Sequence, residues 1–114
     1  MITLWHNPRC AKSRAALKLL EDKGAPVTVR RYLVDRPNRE ELDHVLLKLG
    51  LPACALIRTG EKAYTDQNLA EVEDDSQLRD AMIDTPILIE RPIAFHSDKA
   101  VIGRPPEVVL SLLD

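Results

Sequence analysis

Proline and glycine cut this chain into short pieces, and their positions decide what those pieces can become. Gly24 and Pro26, Gly50 and Pro52, Thr85-Pro86, Arg91-Pro92 and Pro105-Pro106 each end or begin a run of apolar residues. Proline cannot continue a helix and glycine readily takes the left-handed cap, so only short elements survive between them. No apolar run comes near the ~20 residues that a membrane span requires. Residues 2–5 form a short apolar run stopped at Asn7-Pro8, after which Ser13, Ala16, Leu17 and Leu20 recur at helical spacing up to Lys23 and Gly24. A second strand is predicted over 27–33, followed by a loop at Asp35-Arg36-Pro37. Asn38 with Glu41 fits a capping box opening a helix whose stripe is Leu42, Val45, Leu46 and Leu49. Helical turns are expected over 53–57 and 69–72, and Ser76 can cap a helix through Leu78 and Met82. Strands are predicted at 87–89 and 93–95, with a possible third at 99–102. Proline at a first helical position then starts a closing helix carrying Val108, Val109, Leu112 and Leu113. The order is βαβ, a helical insert, then ββ(β)α, an α/β arrangement with a mixed sheet covered by helices.

At 114 residues, with 45% hydrophobic and 30% charged residues, the chain is long enough for one core and far from disordered composition. A single domain over 1–114 is expected. Sixteen basic against eighteen acidic residues give a formal charge of −2, which excludes a global basic field for nucleic acid. The first five residues are too short an apolar stretch for a secretory signal, so a cytoplasmic location is expected. Cys10 and Cys54 are far apart in sequence and are expected to be free thiols.

Cys10 stands where the first strand turns into the first helix. There, free backbone N–H groups and the helix dipole favour the thiolate over the thiol. Arg9, Lys12 and Arg14 add positive charge, and a protonated His6 in the same turn could stabilise the thiolate further. The competing reading is a buried structural cysteine. Cys10-Ala11-Lys12-Ser13 lacks the second thiol of a dithiol motif, and Ala16 occupies the place of the arginine in a phosphatase-type anion loop. Charge partners for an oxyanion over Cys10 must therefore come from elsewhere. Arg58, Arg91 and Arg104 each sit at the edge of an apolar segment, and guanidinium suits tetrahedral oxyanions, although most arginines simply solvate a surface. His44 and His96 are isolated and no Cys/His pair has metal-ligand spacing, so no metal is expected. Cys54, Trp5 and Phe95 read as core residues.

Four segments together resemble the glutaredoxin-dependent arsenate reductase family. They are the run from His6 to Arg14, Ala55-Leu56-Ile57-Arg58, the run from Pro86 to Ile93, and the run from Gly103 to Val109. The resemblance runs nearly end to end and is to a short-chain branch. It implies a thioredoxin-like fold in which Cys10 attacks arsenate and Arg58, Arg91 and Arg104 hold the oxyanion. It also implies that His6 tunes the thiolate and that Pro92 is a cis-proline opposite the cysteine. Glutathione would serve as co-substrate and glutaredoxin as transient partner, with arsenite as product and no bound cofactor. Two alternatives follow from relatives of the same fold: a glutathione-dependent thiol reductase for another substrate, and a redox-responsive regulator binding RNA polymerase. Ser13 argues against the regulators, which commonly carry the dithiol.

Overall fold

A computed structural model describes residues 1–113 as two compact units, one of Met1–Asp35 with the stretch from Arg91 onward, the other of Arg36–Glu90. The first unit holds a four-stranded mixed sheet. Strands β1 (Ile2–Trp5), β2 (Val27–Arg30), β3 (Ile93–Phe95) and β4 (Ala100–Ile102) lie in the order β2-β1-β3-β4. β1 runs parallel to β2 and antiparallel to β3, and β3 runs antiparallel to β4. The parallel pair needs a crossover, which helix α1 (Ala11–Asp22) supplies. Alternation along the strands sends Ile2, Leu4 and Ala94 to one face, where they form a core with Ala16 and Leu20 of α1 and with Val109 and Leu112. The last two belong to a closing 3-10 helix, Pro106–Leu113, that packs against α1. Leu20 is fully buried, and truncating it to alanine would cost about 2–5 kcal/mol. The same strands carry Trp5 and Phe95 on their other face, edge to face at 5.7 Å, with Trp5 buried and Phe95 only half-buried.

The second unit is the helical insert. Its α2 (Arg39–Leu49) opens with the expected capping box, Asn38 accepting from Glu41 N–H and Glu41 accepting from Asn38 N–H. It closes at Gly50, whose φ of 69° is the left-handed cap. α3 (Ala53–Leu56), α4 (Lys62–Asp66), a 3-10 turn (Leu69–Glu71) and α5 (Asp75–Asp84) follow, with α5 packed on α2 and α3. Among the described residues no helix is long and apolar enough to cross a membrane.

Several expectations are corrected. β2 ends at Arg30, because Arg31 O accepts the N–H groups of both Val34 and Asp35 and turns the chain away from the sheet. Residues 87–89 do not make a strand. Local bonds from Leu88 N–H to Thr85 O and from Ile89 N–H to Pro86 O wind Pro86–Leu88 into a 3-10 turn, leaving a single bridge between Ile89 and Ile57. α5 begins two residues early, since Asp74 rather than Ser76 is the cap and accepts from Ser76 N–H. α4 buries no residue and so carries no apolar stripe to betray it in the sequence. Cys54 is exposed rather than in the core: Ala53 and Leu56 supply the buried face of α3, and Cys54 lies on its outer side.

Candidate active site

β1 delivers the chain into a tight loop. His6 N–H still pairs with Arg30 O of the neighbouring strand at 2.8 Å, and Asn7-Pro8 then breaks the ladder. Asn7 holds the turn three ways. Its side-chain oxygen accepts from Arg9 N–H at 3.0 Å, its carbonyl accepts from Cys10 N–H at 3.0 Å, and its own N–H donates to Ser13 Oγ at 3.0 Å. Such local bonding is what Asn favours over helix or strand. Cys10 emerges in extended geometry, φ −96° and ψ 121°, as the N-cap residue of α1, half-buried.

Burial by itself pushes the Cys10 thiol up. Ser13 N–H, a hydrogen bond from the Arg91 guanidinium and Lys12 N–H outweigh it, and the net pKa lies below the usual cysteine value. Arg104 adds Nη2 at 3.9 Å from Sγ. The same guanidinium donates from Nε to Arg91 O at 2.7 Å, so Arg104 braces the segment that carries Arg91. A third tie is Gly103 N–H to Pro92 O at 2.8 Å. Gly103 has no room for a side chain, since a Cβ there would stand 2.7 Å from Pro92 Cγ. The Arg91–Pro92 bond is cis, as is Arg104–Pro105. Cys10, Arg91 and Arg104 thus form one cluster in which two guanidinium groups face a thiolate at a helix N-terminus, an arrangement able to hold a tetrahedral oxyanion against a nucleophile.

Arg58 belongs to the other compact unit. There Glu61 holds its Nε at 3.1 Å and Glu90 its Nη1 at 2.8 Å. His6 differs from the protonated group that its place in the turn suggested. It is buried, and burial first, then the charges of Arg31 and Arg14, lower its pKa, so the ring is neutral at pH 7. Its Nδ1 lies 2.7 Å from Ser13 Oγ. Ser13 Oγ also accepts from Asn7 N–H, so this one hydroxyl joins the His6 ring to the turn. Ser13, fully buried, is therefore the hub that ties the loop to α1; its place on the helical stripe and its lack of a second thiol were legible in the sequence, but its hydrogen-bonding role was not. The available signal was a hydroxyl within the otherwise apolar stripe of Ala16 and Leu20. Among the described residues no group of three or more His, Cys, Asp or Glu side chains gathers as a metal site would need.

A sequence profile of the ArsC family matches residues 5–112. The arsenate reductase of Neisseria meningitidis is 41% identical over 98% of this chain and 97% of its own length. That of Haemophilus influenzae is 40% identical over 98% of both. The solved arsenate reductase of Vibrio cholerae superposes with a TM-score of 0.93 at 42% identity, covering 96% of this chain and 95% of the other.

Proposed function

The chain belongs to the ArsC family, and from that premise we propose that it reduces arsenate to arsenite through a single nucleophilic cysteine, Cys10, with glutathione and glutaredoxin as the thiol reductants. The observation that carries this reading is the pair of guanidinium groups at the sulfur, Arg91 by hydrogen bond and Arg104 at 3.9 Å. A bare reactive thiol has no need of paired donors. A thiolate that must attack an anion does, because the donors offset the repulsion and stabilise the charge that develops on oxygen. The thiolate attacks arsenic, an S–As bond forms, and one oxygen leaves as water. Glutathione sulfur then attacks the adduct. The two sulfurs supply two electrons, As(V) becomes As(III), and the sulfurs join as a mixed disulfide while arsenite departs. Glutaredoxin, a transient partner, reduces that disulfide and restores Cys10. Arg58 serves as the third oxyanion donor, and the neutral His6 acts on the thiolate through Ser13, whose N–H lowers the Cys10 pKa.

Ser13 in the fourth position of the motif supports a one-cysteine scheme, and the exposed Cys54 stays outside it. The test is arsenite production by purified protein with arsenate, glutathione and glutaredoxin. Cys10→Ser is expected to abolish it and Cys54→Ser to leave it intact. No arsenite above the enzyme-free control overturns the reading, and loss of activity in both variants makes Cys54 a resolving thiol.

A further inference from the structure

Beside the Cys10 turn the first unit has a groove of about 360 Å³, lined by the 6–9 loop together with Arg31, Leu33 and Val34. That is the size at which small-molecule sites begin. Its character is mixed. Leu33 is half-buried and Val34 is 83% exposed, an apolar surface standing in water, while Arg9 and Arg31 are both exposed. Other arginines nearby are engaged: Arg14 donates to Pro8 O at 2.9 Å, and Arg30 pairs with Asp35 at 3.5 Å. Asp35 is the one carboxylate of the 31–35 turn, so its charge goes to Arg30. No carboxylate lines the groove, and among the described residues neither Arg9 nor Arg31 forms an ion pair. Two cations over an apolar floor, with no acid to neutralise them, complement a small ligand that carries carboxylates.

The wall of the groove is also the turn that carries the nucleophile, since Asn7 O accepts from Cys10 N–H at 3.0 Å. A ligand anchored by its carboxylates at Arg9 and Arg31 is therefore held within a flexible side chain's reach of that turn. We infer that this groove seats the carboxylate end of a low-molecular-weight thiol, with Arg9 and Arg31 pairing to its carboxylates and Leu33 and Val34 packing on its aliphatic part. The inference rests on the thiol-dependent reading above and gives the co-substrate a place to bind.

The test uses binding alone, so its outcome is separate from that of the arsenate assay. S-methylglutathione, which has both carboxylates and no free thiol, is titrated into the full chain while backbone amide NMR shifts are followed. Expected is a saturable shift centred on residues 6–9 and 31–34. Arg9→Glu/Arg31→Glu should weaken the apparent affinity severalfold to tenfold, with dispersion of the spectrum showing that the fold is kept. The diethyl ester of S-methylglutathione, which lacks the two carboxylate charges, should bind correspondingly weakly to the wild type. Shifts absent or mapping elsewhere, an ester that binds as well as the free acid, or a charge-reversed protein that binds as well as wild type would each overturn the groove assignment. Arsenate reduction with a lost groove effect would leave the enzyme reading standing and remove only this site.

Discussion

Replacing Gly103 with alanine probes the packing that braces both arginines. The new Cβ would stand 2.7 Å from Pro92 Cγ and 3.1 Å from Val109 Cγ1, well inside the 3.4 Å edge of ordinary contact. The proline ring is tied to the backbone at both ends and can yield only by moving the chain. Overpacking of this kind costs about 1–3 kcal/mol. Alanine returns about 0.4–1 kcal/mol by restricting the unfolded chain. The net expectation is a loss of about 1–2 kcal/mol, which for a domain of this size lowers Tm by several degrees, on the order of 5 °C per kcal/mol. The displacement also acts on chemistry. Gly103 N–H is bonded to Pro92 O, and Arg104 Nε to Arg91 O, so parting the two segments draws both guanidinium groups from the sulfur. Thermal unfolding should show the lower Tm, and iodoacetamide alkylation of Cys10 as a function of pH should show its midpoint moved upward. An unchanged Tm together with an unchanged midpoint would refute the packing argument, because it would mean that the space existed.

The remaining predictions concern charge and hydrogen bonding. Wild-type Cys10 should alkylate with a midpoint below that of a free thiol, since its pKa is lowered, and Arg91→Lys should raise that midpoint by removing the directed guanidinium donor. His6 has a lowered pKa, so the unfolded chain takes up its proton first. Stability from this residue is complete above about pH 6.5 and is lost as pH falls through the lower folded value, giving a slope in denaturant unfolding that His6→Asn, an acceptor that does not titrate, should reduce. Asp43 accepts from Arg79 at 2.8 Å and from Arg39 at 2.9 Å, joining α5 to α2. At partial exposure, losing it in Asp43→Ala should cost about 0.5–1 kcal/mol at low salt, and the difference in melting temperature should shrink in high salt.

Local rules were readable wherever the responsible atoms lie within a few residues. The Asn38–Glu41 capping box, the left-handed caps at Gly24 and Gly50, and the placement of Cys10 at the start of α1 are matters of backbone preference and neighbouring hydrogen bonds. Such features survive any tertiary arrangement, and the sequence determined them alone. Its errors arose where local and distant forces compete. The apolar triplet at 87–89 has strand propensity, yet i→i+3 bonds following Pro86 wind it into a turn. Cys54 sits among apolar residues, but four-residue α3 has only one buried face, and which residues occupy it depends on how α3 packs on α5. The site divides in the same way. A thiol at a helix N-terminus could be seen from Asn7-Pro8 and the stripe behind it. The tertiary fold alone decided that Arg104, 94 residues along the chain, would reach Cys10 and brace Arg91. It also decided that His6 would be buried and neutral, because solvent exclusion and the charges of Arg31 and Arg14 are properties of the packed chain, with no counterpart in the order of its residues.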